Sequence, residues 1–183
     1  MASARACNDW TGTATTRLNC HPFRHGPWLF MHNGQVGGYA QLRRTLESWL
    51  CDDFYAERRG ATDSELLFLL TMTRLRQGMA PDEAVLSVLD DTMALMRERG
   101  ITQPLRFAAT LADGERFYAF RIATDGKPPT LYLRRCGSGV IVASEPLSED
   151  EPGWHMLPDG AVATVGPQGC SVQASRFEPA LSG

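Results

Sequence analysis

No apolar run in the 183-residue chain approaches the roughly 20 residues a membrane-spanning helix needs; the longest is Leu66-Leu67-Phe68-Leu69-Leu70. The first residues lack the apolar segment of a secretory signal peptide. An excess of one charge is also missing. The 18 basic and 21 acidic residues are interspersed and leave a formal net charge of -3, so there is no basic footprint for nucleic acid and no acidic tail. There is no internal repeat, no Gly-rich phosphate loop and no linker composition that would mark a second domain. The cysteines are few and odd in number, five without regular spacing, which fits reduced thiols better than a disulfide framework. The expectation that remains is a soluble, cytoplasmic, single-domain protein, with 43% hydrophobic residues to build a core.

The informative stretch runs from Cys20-His21-Pro22-Phe23 to Phe30-Met31-His32-Asn33-Gly34. Trp28-Leu29-Phe30-Met31 is too short for a helix and suits a central strand covered on both faces. Asn33-Gly34 then reads as the place where the strand breaks off. Such a pair is first of all a turn signal, because both residues tolerate positive φ. The sequence after Gly34 turns helical instead of returning as a second alternating strand, which leaves another use open. A side-chain amide and a glycine N–H held together at a strand end form a two-donor site for a developing oxyanion.

Further on, Tyr39, Leu42, Leu46, Trp49, Leu50 and Phe54 recur as one face of a helix over 39–56, with Gly37 and Gly38 at its start. Thr62-Asp63-Ser64-Glu65 opens a second helix as a capping box, in which the Thr62 hydroxyl takes an orphan N–H and Glu65 reaches back. A third spans 81–99, with Pro81 in its first turn and Gly100 ending it. After Gly100 the period becomes alternating. Strands are expected over 105–112 and 115–123, joined by Asp113-Gly114, and then over 130–133, 139–143, 161–165 and 170–172. Helices first and antiparallel strands later indicate an α+β layered domain over 19–175, between an irregular segment 1–18 and a tail 176–183.

Asn19-Cys20-His21-Pro22-Phe23, Phe30-Met31-His32-Asn33-Gly34 and Gly60-Ala61-Thr62-Asp63-Ser64-Glu65, in this order and spacing, resemble the class II glutamine amidotransferases, and their small stand-alone branch in particular. Ala143-Ser144-Glu145-Pro146-Leu147 and Gly153-Trp154 continue the similarity, which covers about 11–166. The resemblance implies an N-terminal-nucleophile hydrolase with an αββα sandwich of antiparallel sheets flanked by helices. It implies hydrolysis of glutamine or a γ-glutamyl amide through a thioester, with no metal or organic cofactor, to which charge and hydropathy add no nucleic acid and no membrane. As partner it leaves a separate amine-acceptor enzyme or self-association.

By the same resemblance Asn33 and Gly34 form the oxyanion hole and Asp63 accepts the substrate's α-ammonium, although a carboxylate in a first helical turn also serves the helix dipole. His21 and Pro22 shape the pocket loop. His32 reads equally as a supporting donor and as a satisfied buried histidine. Arg5 is either the remnant of the family's carboxylate-gripping arginine or a solvated terminal residue. The resemblance fails at the nucleophile: the family uses an N-terminal cysteine whose α-amino group acts as base, residue 2 is alanine here, and Cys7 lies only 14 residues before His21. The sequence is therefore expected to lack the family's opening strands and catalytic thiol, with a catalytically inactive fragment that at most binds a ligand or a protein as the alternative to an active hydrolase. Cys20 and its neighbour His21 point apart on extended chain, and Cys20, Cys51, Cys136 and Cys170 read as buried structural thiols. Cys20, His21, His25 and His32 lack the spacing of a metal site.

Overall fold

The structure, a computed structural model, describes residues 19–137, 139–147 and 152–175. Four helices, α1 (Tyr39–Glu47), α2 (Asp52–Glu57), α3 (Asp63–Arg76) and α4 (Pro81–Glu98), follow β1 (Phe23–His25) and β2 (Trp28–Gln35). Seven further strands complete the described chain: β3 (Arg106–Ala112), β4 (Phe117–Ala123), β5 (Tyr132–Cys136), β6 (Gly139–Ala143), β7 (His155–Met156), β8 (Ala161–Gly166) and β9 (Gly169–Ala174). They form an antiparallel six-stranded sheet in the order β1-β2-β3-β4-β8-β9 and a three-stranded sheet β6-β5-β7. The helices cover one face of the larger sheet. Its other face packs small residues, Ala108, Ala119, Ala161 and Ala163, against Leu131, Leu133, Val140, Val142 and Leu157 around the smaller sheet. The layers are thus helix, sheet, sheet, the antiparallel α+β arrangement expected from the sequence.

α3 is the centre of the helical layer. Eleven consecutive residues from Asp63 to Thr73 are buried, as expected of a helix apolar on all sides and enclosed by neighbours. Phe68 stacks on Phe30 of β2 with ring centroids 5.5 Å apart, which seats α3 directly over that strand. α4, started by Pro81, buries its Val85, Leu86, Val88 and Leu89 stripe as the periodicity predicts.

Four expectations are corrected. The helix over 39–56 is two helices, separated at residues 48–51 where Trp49 and Leu50 bond back three residues and Cys51 turns extended. Leu50 and Phe54 are nevertheless buried, so the apolar period outlasted the break in the backbone. β2 does not stop at Asn33-Gly34: both residues pair with β3, opposite Ala108 and Phe107, and the strand runs on to Gln35. Nor is β2 covered on both faces, since Leu29 and Met31 are 42% and 49% exposed. The four described cysteines form no disulfide and none is fully buried, Cys20 and Cys136 being exposed. Among the described residues no helix is long and apolar enough to cross a membrane, and no cluster of three His, Cys, Asp or Glu side chains could hold a metal.

Candidate functional site

Strand alternation divides β2 between two environments. Phe30 and His32 are buried on the helix side, whereas Leu29, Met31 and Asn33 are exposed on the side facing the smaller sheet's layer. β1 pairs only with Trp28, Leu29 and Phe30, so beyond that point the outer edge of β2 has no strand partner among the described residues. Among the described residues the Asn33 side chain has no hydrogen-bond partner. Gly34 follows at φ 152°, and a Cβ at this position would lie 2.0 Å from the Arg106 carbonyl oxygen and 2.8 Å from His32 Nε2. Only glycine lets β2 pass so close to β3 at this point.

Past Gln35 the chain turns through Val36, Gly37 and Gly38 into α1, and this turn meets the N-terminus of α3. The Thr62 hydroxyl caps α3 by accepting from the Glu65 N–H at 3.2 Å. The reciprocal arm of the expected capping box is redirected. Glu65 instead accepts from the Arg59 N–H at 3.0 Å and the Gly60 N–H at 2.7 Å, holding the loop before the helix. Asp63 Oδ2 accepts from the Val36 N–H at 2.9 Å and Oδ1 from the Ser64 N–H at 2.8 Å. Oδ2 keeps a second lone pair, so this tie does not exhaust the carboxylate, whereas Oδ1 also faces the Ser64 hydroxyl. Ser64 Oγ stands 2.8 Å from His32 Nδ1 and 3.5 Å from Asp63 Oδ1. The end of β2 and the start of α3 are joined by two buried polar contacts.

His21 completes the cluster from the preceding loop. Its ring lies edge-on to Phe23, and burial first, then the neighbouring His32, push its pKa down from 6.5 to about 4, with Asp63 opposing the shift. Burial also holds His32 below its ordinary value, opposed by Asp63 and by the Arg106 carbonyl. Nε2 of each ring is buried without a hydrogen-bond partner among the described residues. Both imidazoles are therefore neutral at pH 7, and neither adds positive charge beside Asp63.

A second network, invisible in the sequence pattern, braces the same corner. The Arg58 guanidinium is buried against Glu47, donates to the Tyr39 hydroxyl at 2.8 Å and lies 3.8 Å from Glu65. The Tyr39 hydroxyl in turn donates to the Thr62 carbonyl at 3.1 Å, and burial pushes its pKa up to about 12. A side cleft of about 300 Å³ opens nearby between Cys20, Arg24, Glu57, Arg59 and Glu65. Neither Asn33 nor Asp63 lines it, and Glu65 there is already committed to two backbone donors, so it is separate from the cluster at the end of β2.

Of the residues predicted from sequence, then, Asp63, His32 and His21 come together on the helix side, whereas Asn33, which follows His32 on β2, places its side chain on the opposite face of the sheet, with Gly34 next after it. Arg5 and Cys7 lie outside the described residues. Ser64 was not anticipated. A serine directly after a candidate carboxylate gives no signal until the fold sets His32 beside it.

A sequence model of the glutamine amidotransferases class-II family matches residues 7–136, most of the chain. The chain belongs to the class II glutamine amidotransferases. The structure of a glutamine aminotransferase class-II domain protein from Silicibacter pomeroyi is similar with a TM-score of 0.79 and 38% identity, over 90% of this chain and 74% of that one. Among curated proteins the amidotransferase chain resembles the probable glutamine amidotransferase DUG3 of Saccharomyces cerevisiae, 26% identical over 82% of this chain. The match takes in 53% of the yeast protein, so the chain spans about half the length of that relative. The glutamine phosphoribosylpyrophosphate amidotransferase of B. subtilis, 18% identical with a TM-score of 0.66 over 91% of this chain and 34% of that one, shares the fold.

Proposed function

We propose that the end of β2 and the start of α3 form the glutamine-recognition site of this amidotransferase domain, for free glutamine or a γ-glutamyl amide. The α-ammonium would meet the remaining lone pairs of Asp63, and the carboxamide oxygen, on becoming an oxyanion, would meet the Asn33 amide and the Gly34 N–H. The observation that carries this reading is the contrast between the two polar groups: Asp63 is fixed by backbone donors at the turn, while Asn33, three residues before Val36, is exposed and has no side-chain partner among the described residues.

A thiol nucleophile completes this chemistry in the family, and no described cysteine belongs to the cluster. Cys20 borders the side cleft, Cys51 caps α2 beside Arg76, and Cys136 and Cys170 lie on β5 and β9. That placement favours a second reading, in which the domain binds the amide without turning it over.

One experiment separates the readings and tests both. In the purified chain Asn33→Ala should weaken binding of a γ-glutamyl ligand while leaving stability within about 0.5 kcal/mol, because the side chain is exposed and unbonded. Ammonia release from L-glutamine should not exceed buffer, and a glutamine-mimicking diazoketone should leave no adduct detectable by mass spectrometry. An adduct on Cys7 or Cys20 would establish the hydrolase reading. If Asn33→Ala also loses any ammonia release, by the two to three orders of magnitude typical of one oxyanion donor, the donor role stands; unchanged binding and turnover would remove it.

A further inference from the structure

The contact between His32 and Ser64 does something that neither side chain does alone. His32 Nδ1 and Ser64 Oγ meet at 2.8 Å with both residues buried, 7% exposed each, and they come from elements 32 residues apart. His32 adjoins Asn33 in β2, and Ser64 adjoins Asp63 in α3. The contact thus runs between the immediate neighbours of the two groups assigned to the ligand. A second tie, Val36 N–H to Asp63 Oδ2, joins the turn just past the end of β2 to the start of α3. Two ties at different points stop one element from rotating about the other, where a single tie would not.

We infer that His32 and Ser64 are positioning residues: their hydrogen bond sets the distance and angle between the Asn33–Gly34 donors and the Asp63 carboxylate, and so determines selection for an α-amino group on the ligand. This rests on the recognition site proposed above and adds residues to it that touch no ligand. The Ser64 hydroxyl, 3.5 Å from Asp63 Oδ1, also limits how far the carboxylate can turn. A tightly packed frame supports the arrangement, since the His32 ring packs against both Phe30 and Phe107, with centroids 6.3 and 4.8 Å away, and those two rings also touch each other. The imidazole is held in plane by aromatic contacts and in register by one hydrogen bond.

The test compares affinities of the full chain for L-glutamine and for glutaramate, which keeps the carboxamide and the carboxylate and lacks the α-amino group. Wild type should prefer glutamine by about tenfold or more, the effect of one charge-assisted partner. Ser64→Ala should bring that ratio close to one with little change in glutaramate affinity, and Ser64→Thr should restore it. A second pair guards against misfolding. An asparagine amide can reach the place of Nδ1 and a glutamine amide that of Nε2, so His32→Asn should keep the preference and His32→Gln should lose it, although both disturb the packing.

A wild type without preference for glutamine would overturn the role of Asp63 and this inference with it. A wild-type preference that survives Ser64→Ala and His32→Gln would overturn the positioning role alone. Equal weakening of both ligands in those variants would likewise overturn it, since that marks a purely structural contact.

Discussion

Asn33 is exposed and bonded to nothing described, whereas Asp63 is buried with both oxygens occupied, and the same motif logic picks out both from the sequence. Their order is legible in the short motifs that resemble the family, and the roles proposed for them rest on that resemblance. Their surroundings are not legible there. Nothing near position 21 in the chain shows that its imidazole will lie beside His32 and Asp63, with burial pushing its pKa down to about 4. That depression has a testable sign. The folded state resists protonation of His21 while the unfolded chain takes a proton near pH 6.5, so stability is full above 6.5 and falls as pH drops towards 4. From 6.5 to about 4 the linkage amounts to roughly 3 kcal/mol at most, less because the ring is not wholly enclosed, and His32 adds in the same direction. The urea midpoint should therefore decline between pH 6.5 and 4, and the decline should be shallower in His21→Phe. Equal slopes in the two proteins would show that His21 does not titrate as described.

At the scale of elements, β2 and α3 carry the proposed site, and the boundary of β2 was the feature most altered by the fold. Read alone, Asn33-Gly34 ends the strand. In the sheet β3 supplies partners to both residues, and pairing overrides the local turn preference. The glycine is required for closeness and not for turning, since an added Cβ would come within 2.0 Å of the Arg106 oxygen. Gly34→Ala should accordingly force β2 and β3 apart and destabilise the domain by roughly 2 kcal/mol or more, measured by urea unfolding. A loss under about 0.5 kcal/mol would mean that the strands yield at no cost. The redirected Glu65 teaches the same point for α3. The Thr62 cap follows from the sequence, but the partner of Glu65 depends on where the loop carrying Arg59 and Gly60 comes to lie.

For the whole molecule the notable feature is uneven cover of the larger sheet. The smaller sheet lies over the alanine-rich part of its face, on β3, β4 and β8, and leaves Leu29 and Met31 of β2 exposed on the same face as Asn33. Adjacent large apolar side chains open to water favour association. We expect the purified chain to self-associate at micromolar concentration in sedimentation velocity, and a Leu29→Lys, Met31→Lys double variant to shift it towards monomer. A monodisperse monomer that melts cooperatively would show that this face is tolerated bare.

By itself the sequence determined the layer type, the helix starts at Gly37-Gly38, Thr62 and Pro81, the Asp113-Gly114 hairpin and the candidate residues Asn33, Gly34 and Asp63. All of these are written in hydrophobic period, turn chemistry or short motifs, which depend on neighbours in the chain. Tertiary structure alone decided that β2 continues through the motif, that one helix becomes two, that Leu29 and Met31 lie bare, and that His32 meets Ser64. The first and last of these depend on a partner brought from tens of residues away, β3 for β2 and Ser64 for His32, and hydrogen bonding and close packing act on distance in space, which the order of residues does not specify.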